Sequence, residues 1–154
     1  MKKTELMERV REAHEKLTGA LEGLSEEEAT RTGLNPNWSI KDALSHISAW
    51  EIETVVNQHP EVLECGAHAV KSELGEDEVK VAIVTQPGAS PSPESILDFC
   101  KGKMAHYAIP RYVEFVDALP KTETHRIQYA VLKAKGVTPE TWDREAVGYK
   151  VEKV

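Results

Sequence analysis

The chain has 154 residues, 40% of them hydrophobic and 29% charged, a composition suited to one ordinary soluble domain or two very small ones. Its net charge of -7 argues against nucleic acid as a partner, because a phosphate backbone asks for clustered Lys and Arg. Met1-Lys2-Lys3 is followed by Glu5, Glu8, Arg9, Arg11 and Glu12 rather than an apolar core, so no export signal is read. No apolar run approaches the roughly 20 residues of a membrane helix. With Cys65 and Cys100 far apart inside apolar patterns, both read as buried thiols of a cytoplasmic protein.

In chain order, Leu6, Val10, Ala13, Leu17, Leu21 and Leu24 step by three and four, one stripe of an amphipathic helix over 4–23. If left uncovered, the part along Leu6, Val10 and Leu17 would suit a partner. Ser25 and Glu28 form a capping box that opens a short second helix, with Glu26, Glu27 and Glu28 favouring its N-terminus. Gly33, Asn35 and Pro36 mark a loop over 32–38. Ser39 caps a third helix, with Asp42 placed to answer the cap, and Pro60 ends it. That helix carries two stripes. Ile40, Ala43, Leu44, Ile47 and Trp50 share one face; Ile52, Val55, Val56 and His59 share another, rotated by roughly 140°. A helix serving one core keeps one stripe, so either two partners sandwich it or two half-helices join near Glu51. Trp38 and Trp50 are expected as core anchors.

Leu63, Cys65, Ala67 and Ala69 alternate along a strand over 63–70. The β-branched run from Val79 to Thr85 is apolar on both faces at its far end and is expected in the middle of a sheet. Ser92 caps the next helix with Pro93 and Glu94 in its first turn; Ile96, Leu97, Cys100 and Met104 are its inner stripe. Residues 112–117 give a third strand, and 119–124 a polar loop. Residues 128–135 give a short helix stopped by Gly136, and 138–154 a tail packed over the surface. The expected fold is α+β: an N-terminal helical hairpin attached to a small three-stranded sheet with flanking helices.

From Glu51 onward the residues resemble the C-terminal lid domain of the adenylate-forming acyl-CoA ligases. The carriers are Ile52-Glu53, His59-Pro60-Glu61-Val62, 78–84, Phe99-Cys100-Lys101, 106–115 and Leu119-Pro120-Lys121-Thr122. The tail from Thr138 to Glu145, with Trp142, resembles the carnitine/crotonobetaine-type branch. Residues 1–51 resemble a different family, the opening of a DinB-type four-helix-bundle protein of the colibactin self-resistance branch. There the carriers are 24–28, 37–42 and His46-Ile47-Ser48-Ala49-Trp50-Glu51. The two resemblances meet where the helical stripe rotates. The expected organisation is an incomplete helical segment over 1–51, a lid-like domain over 52–136 and a tail over 137–154.

The ligase resemblance implies a definite chemistry. A carboxylate attacks the α-phosphate of ATP, and CoA then displaces AMP from the acyl-adenylate. The lid offers a lysine to the developing phosphate charge. That lysine lies in a Pro-Lys-Thr-x-Thr-Gly-Lys-Ile pattern, and here the stretch is Pro120-Lys121-Thr122-Glu123-Thr124-His125-Arg126-Ile127. Arg126 takes the lysine position as the candidate catalytic cation, although a planar fork does not reach like a compact ammonium. His125 replaces a conformationally free glycine. Lys121 is the candidate nucleotide contact, weighed against a solvated surface cation.

No phosphate-gripping glycine loop, adenine pocket or acyl tunnel is legible. The expectation is a lid fragment or fusion inactive by itself, needing no cofactor alone and using ATP and CoA only with an adenylation domain in trans. The other expected partner is a second copy of the chain. The DinB resemblance makes His46 a candidate metal ligand, one of three histidines in that family, with its two partners lacking here. A reduced DinB-like metal protein and a non-catalytic binding or dimerisation module therefore remain the alternatives.

Overall fold

The computed structural model describes residues 3–33, 39–71 and 77–151 of the chain. Two compact units are distinguished, 1–44 and 45–154.

In the first unit, α1 (Lys3–Leu21) is one helix closed by a left-handed Gly23 at φ 82. A glycine there frees the chain to turn away from the helix axis without a Cβ clash. Along the described part of its apolar stripe Leu17 is 40% exposed, while Leu21 and Leu24 are half-buried. The side chains of Leu6 and Val10, and the loop residues including Trp38, lie outside the described residues. α2 (Glu26–Thr30) starts as expected: Glu28 N donates to Ser25 Oγ at 3.3 Å and Ser25 N to Glu28 Oε2 at 3.0 Å. The same reciprocal device opens α3 (Ile40–Val56), where Asp42 N donates to Ser39 Oγ and Ser39 N to Asp42 Oδ2.

α3 is one α-helix with no break at Glu51. Its buried residues are Ile52, Glu53 and Val56 alone. Ile47 is 42% and Trp50 57% exposed, so Trp50 is no core anchor. Ile52 and Val56 of the second stripe join the core cluster of the sheet, whereas Trp50 packs its ring on His46, centroids 4.5 Å apart.

In the second unit a four-stranded mixed sheet runs β1 (Val62–Lys71), β2 (Asp77–Thr85), β3 (Tyr112–Phe115), β4 (Trp142–Asp143). The α+β class is as expected, and the sheet is one strand wider. β4 comes from the segment expected as a surface tail and pairs antiparallel with β3 through Tyr112–Asp143 and Val113–Trp142. β2 is central: antiparallel to β1 and parallel to β3. α4 (Pro93–Cys100) makes the crossover a parallel pair requires, started by Ser92 accepting from Ser95 N at 3.2 Å. In β1 the alternation holds for Cys65 and Ala67 but not for Leu63, which is 53% exposed. A register shift between Val62 and Glu64 turns Val62 inward instead.

Both sheet faces are covered. On one, Cys65, Ala67, Val81, Ile83 and Val113 meet Ile52 and Val56 of α3 and Ile96, Leu97 and Cys100 of α4. Both cysteines are buried, and burial lifts the Cys100 thiol to about 11. On the other face Ala82 and Val84 meet Leu119 and Leu132, the latter on α5 (Tyr129–Lys135). α5 approaches so closely because β1 has a glycine under it: a Cβ on Gly66 would sit 3.1 Å from Leu132 Cδ1. Gly66→Ala is therefore expected to lower the thermal midpoint, by the equivalent of about 1–2 kcal/mol of overpacking in a denaturation curve. Among the described residues, no helix is long and apolar enough to cross a membrane.

Candidate functional site

The polar stretch after β3 folds as a hairpin rooted on the second sheet face. Lys121 and Ile127 form an antiparallel bridge, and Thr122 N donates to Arg126 O at 2.9 Å. His125 N donates to Thr122 O at 2.9 Å, which closes the turn. Gln128 secures the root twice, its N donating to Pro120 O at 2.8 Å and its side-chain amide to Lys121 O at 2.7 Å.

A tight turn of this kind needs a left-handed residue just after it, usually glycine. Here that residue is His125, with φ 60, the one non-glycine at positive φ among the described residues. Such a conformation strains an L-residue by about 1–2 kcal/mol, and histidine is among the side chains found there most often. The expected loss of a free backbone position is therefore met by strain rather than by a changed turn. Arg126 follows directly, exposed, with no ion-pair partner among the described residues. Its backbone is held by the turn: Arg126 N donates to Thr122 Oγ1 at 3.2 Å, and that hydroxyl lies 3.0 Å from Thr124 Oγ1.

Lys121 points elsewhere. Its ammonium is 2.5 Å from Glu64 Oε2 on β1, with both side chains about one-third exposed. The pair ties the hairpin root to the edge strand. The two candidate cations are thus in different settings, one paired at the root and one presented at the turn.

His46 lies on α3 with its ring against Trp50 and edge-on to Tyr129 at 6.5 Å. Among the described residues no three of His, Cys, Asp and Glu come together in a way that could hold a metal ion.

A polar cluster unforeseen in the sequence lies under the hairpin's neighbour, α5. Lys80 on β2 and Glu114 on β3 are 1% and 3% exposed, their charged atoms 2.5 Å apart. Lys80 Nζ also donates to Gly136 O at 2.5 Å and Thr141 Oγ1 at 3.0 Å. Lys135 at the end of α5 pairs with the other Glu114 oxygen. Burial would raise the Glu114 carboxyl, but hydrogen bonds from Lys135 and Lys80 outweigh it and hold the group below its ordinary value. Glu53 is a second buried carboxylate, accepting from Ala67 N at 2.7 Å and from the Tyr129 hydroxyl at 2.8 Å. It satisfies an edge-strand amide and holds the start of α5. The sequence did carry a signal for Lys80 and Glu114. Each interrupts a run otherwise apolar on both faces, and a charge there must be paired.

The tail is bound by a second set of charges. Arg111 donates to both oxygens of Asp143, at 3.2 and 3.0 Å, and lies 3.1 Å from Glu145. This bidentate fork explains how two residues suffice for a strand.

Residues 51–126, just under half of the chain, match the AMP-binding enzyme C-terminal domain. The protein is 40% identical over 85 residues to the mitochondrial medium-chain acyl-CoA ligase ACSF2 of Danio rerio, covering 55% of this chain and 14% of the relative. It is 38% identical over 87 residues to the putative acyl-CoA synthetase YngI of Bacillus subtilis, covering 56% of this chain and 16% of the relative. Among solved structures, the anthranilate CoA ligase AuaEII, in complex with anthranoyl-AMP, superposes with a TM-score of 0.54 at 37% identity. The overlap is 56% of this chain and 17% of that one. The acyl-CoA synthetase of Brucella canis gives 0.54 at 28% identity, over 56% of this chain and 17% of that one. The relatives matched are acyl-CoA ligases and synthetases, and the similarity covers about half of this chain. The chain spans about a seventh of the length of these curated relatives.

Proposed function

We propose that residues 52–136 act as the lid of an acyl-CoA ligase, closing over an adenylation domain and directing Arg126 at the phosphate charge of ATP or the acyl-adenylate. The observation that carries this is the hairpin. It keeps the turn with His125 in the left-handed conformation and leaves Arg126 exposed beside it. Lys121, held by Glu64, fits an anchor of that hairpin better than a nucleotide contact. By itself the chain is inactive, because one guanidinium stabilises charge but neither binds acyl acid nor orients ATP.

The same reading treats residues 1–51 as an addition ahead of the lid. It is supported by the family match beginning at residue 51 and by burial along α3 beginning at Ile52. A DinB-like metal role for His46 draws no such support.

The test mixes the purified full chain with an adenylation domain cut from a medium-chain acyl-CoA ligase, the substrate in a relative's name, together with ATP, CoA and a medium-chain acid. Thioester formation above that of either component alone is expected, with no pyrophosphate exchange by the chain alone. Exchange by the chain alone overturns the inactivity; absence of any gain at saturating chain overturns the lid role.

A further inference from the structure

His68 is a buried basic group to which the lid reading gives no role. It sits on edge strand β1 beneath α5, 4% exposed, and neither ring nitrogen makes a well-formed hydrogen bond among the described residues, although the Gly66 backbone lies close enough to interact. In register it is the direct cross-strand neighbour of Lys80. The charges facing it are Lys80 from β2, Lys133 from α5 and Glu114 from β3. Glu114 is already committed to Lys80 and Lys135, so a proton on His68 would add a third cation to a site with one carboxylate. An unpaired buried imidazolium is relieved by reaching water, and the cover in its way is thin. α5 is seven residues long with Leu132 as its one buried residue. Beyond that contact it is held by the half-buried Tyr129 ring, packed on the same cluster and edge-on to His46, by the Tyr129–Glu53 hydrogen bond and by the Lys135–Glu114 pair. α5 also follows directly on Gln128, which closes the root of the Arg126 hairpin.

We propose that His68 is an acid-sensitive latch: its protonation lifts α5 from the sheet and loosens the hairpin that carries Arg126. The importance of that hairpin rests on the lid reading; the latch itself does not. The direction follows from the group's environment. Burial first, then Lys80, lowers the imidazole from 6.5 to about 4 in the closed state. An opened His68 regains the ordinary value, so the open state binds the proton more readily. Closure is at full strength above 6.5 and weakens as pH falls toward 4. Glu114 titrates below 4.5, outside a comparison of pH 7 with pH 5.

Hydrogen exchange on the full chain, corrected for the intrinsic pH dependence of the chemistry, tests this without any activity. The amides of Thr122, Gln128 and Leu132 report hairpin and α5, and those of Val81 and Ile83 report the central strand. Between pH 7 and pH 5 the first group is expected to lose protection by about twentyfold, the ratio set by a shift from 6.5 to about 4. The central strand keeps its protection, and His68→Phe removes the loss. Should that variant fail to fold, His68→Gln serves, since it cannot be protonated. An unchanged hairpin at pH 5, equal loss at Val81 and Ile83, or the same loss in the folded variant each overturns the latch.

Discussion

Glu114→Ala is expected to lower the unfolding free energy by about 3–5 kcal/mol, the range for stranding one member of a buried ion pair. The reasoning lies in what each partner keeps. Lys80, 1% exposed, would retain Gly136 O and Thr141 Oγ1 but lose the carboxylate that balances its charge. Lys80→Met is expected to be milder, because Glu114 would still hold Lys135, a half-exposed lysine open to water. The double variant Lys80→Met with Glu114→Leu should recover much of the loss, since matched apolar groups leave no orphaned charge. Urea denaturation of the three variants decides it: equal effects of the two single substitutions would mean that Lys135 does not sustain Glu114. The tail should loosen with Glu114→Ala as well, because the Thr141 hydroxyl donates to Glu114 Oε2 at 3.2 Å and loses that acceptor.

That network shows where a sequence stops being readable. The strands and helices follow from local chemistry: the β-branched run of β2, the Ser25–Glu28 and Ser39–Asp42 boxes, Pro93 after Ser92, and Gly136 after α5. Each is decided by residues adjacent or at most a few positions apart. Lys80 is paired with a carboxylate on the next strand, 34 residues on, and although its charge inside an apolar run signals that it must be paired, nothing near it in sequence says with what. Trp50 failed in the opposite direction. Its helical stripe is genuine, but period alone does not say whether a surface arrives to cover it, and here it stays 57% exposed. β4 was missed because two residues have no period; the Arg111–Asp143 fork makes the strand. At the candidate site, the positions of Lys121 and Arg126 were legible only through the ligase resemblance. Their separation into a root anchor and a presented cation required Glu64 to be seen across from Lys121. His125 was legible as an odd residue for its place, and its left-handed backbone turns that oddity into measurable strain.

Under the proposed lid function, Arg126→Ala should reduce thioester formation in the mixed system by about 10²–10³, the usual loss when one preorganised charge donor is removed from a reacting centre. The chain's own stability should hardly move, since the Arg126 side chain is exposed and the turn is held by backbone and Thr122. Arg126→Lys separates charge from shape. If the site prefers a compact ammonium, as the family pattern implies, the rate should equal or exceed that of the native chain; if it has adapted to a bidentate fork, the rate should fall. His125→Gly acts on the backbone instead. It relieves the left-handed strain but gives the unfolded chain more freedom, so stability should rise by no more than about 1 kcal/mol. A turn free to adjust should raise the rate of the Arg126→Lys variant more than that of the native chain, because the shorter cation gains more from a shift of the tip. Steady-state rates of the five proteins, the double variant His125→Gly with Arg126→Lys included, with one adenylation domain measure all of this. An Arg126→Ala rate equal to the native rate would remove Arg126 from the chemistry while leaving the lid's closure, read by any remaining gain over the adenylation domain alone, as a separate result.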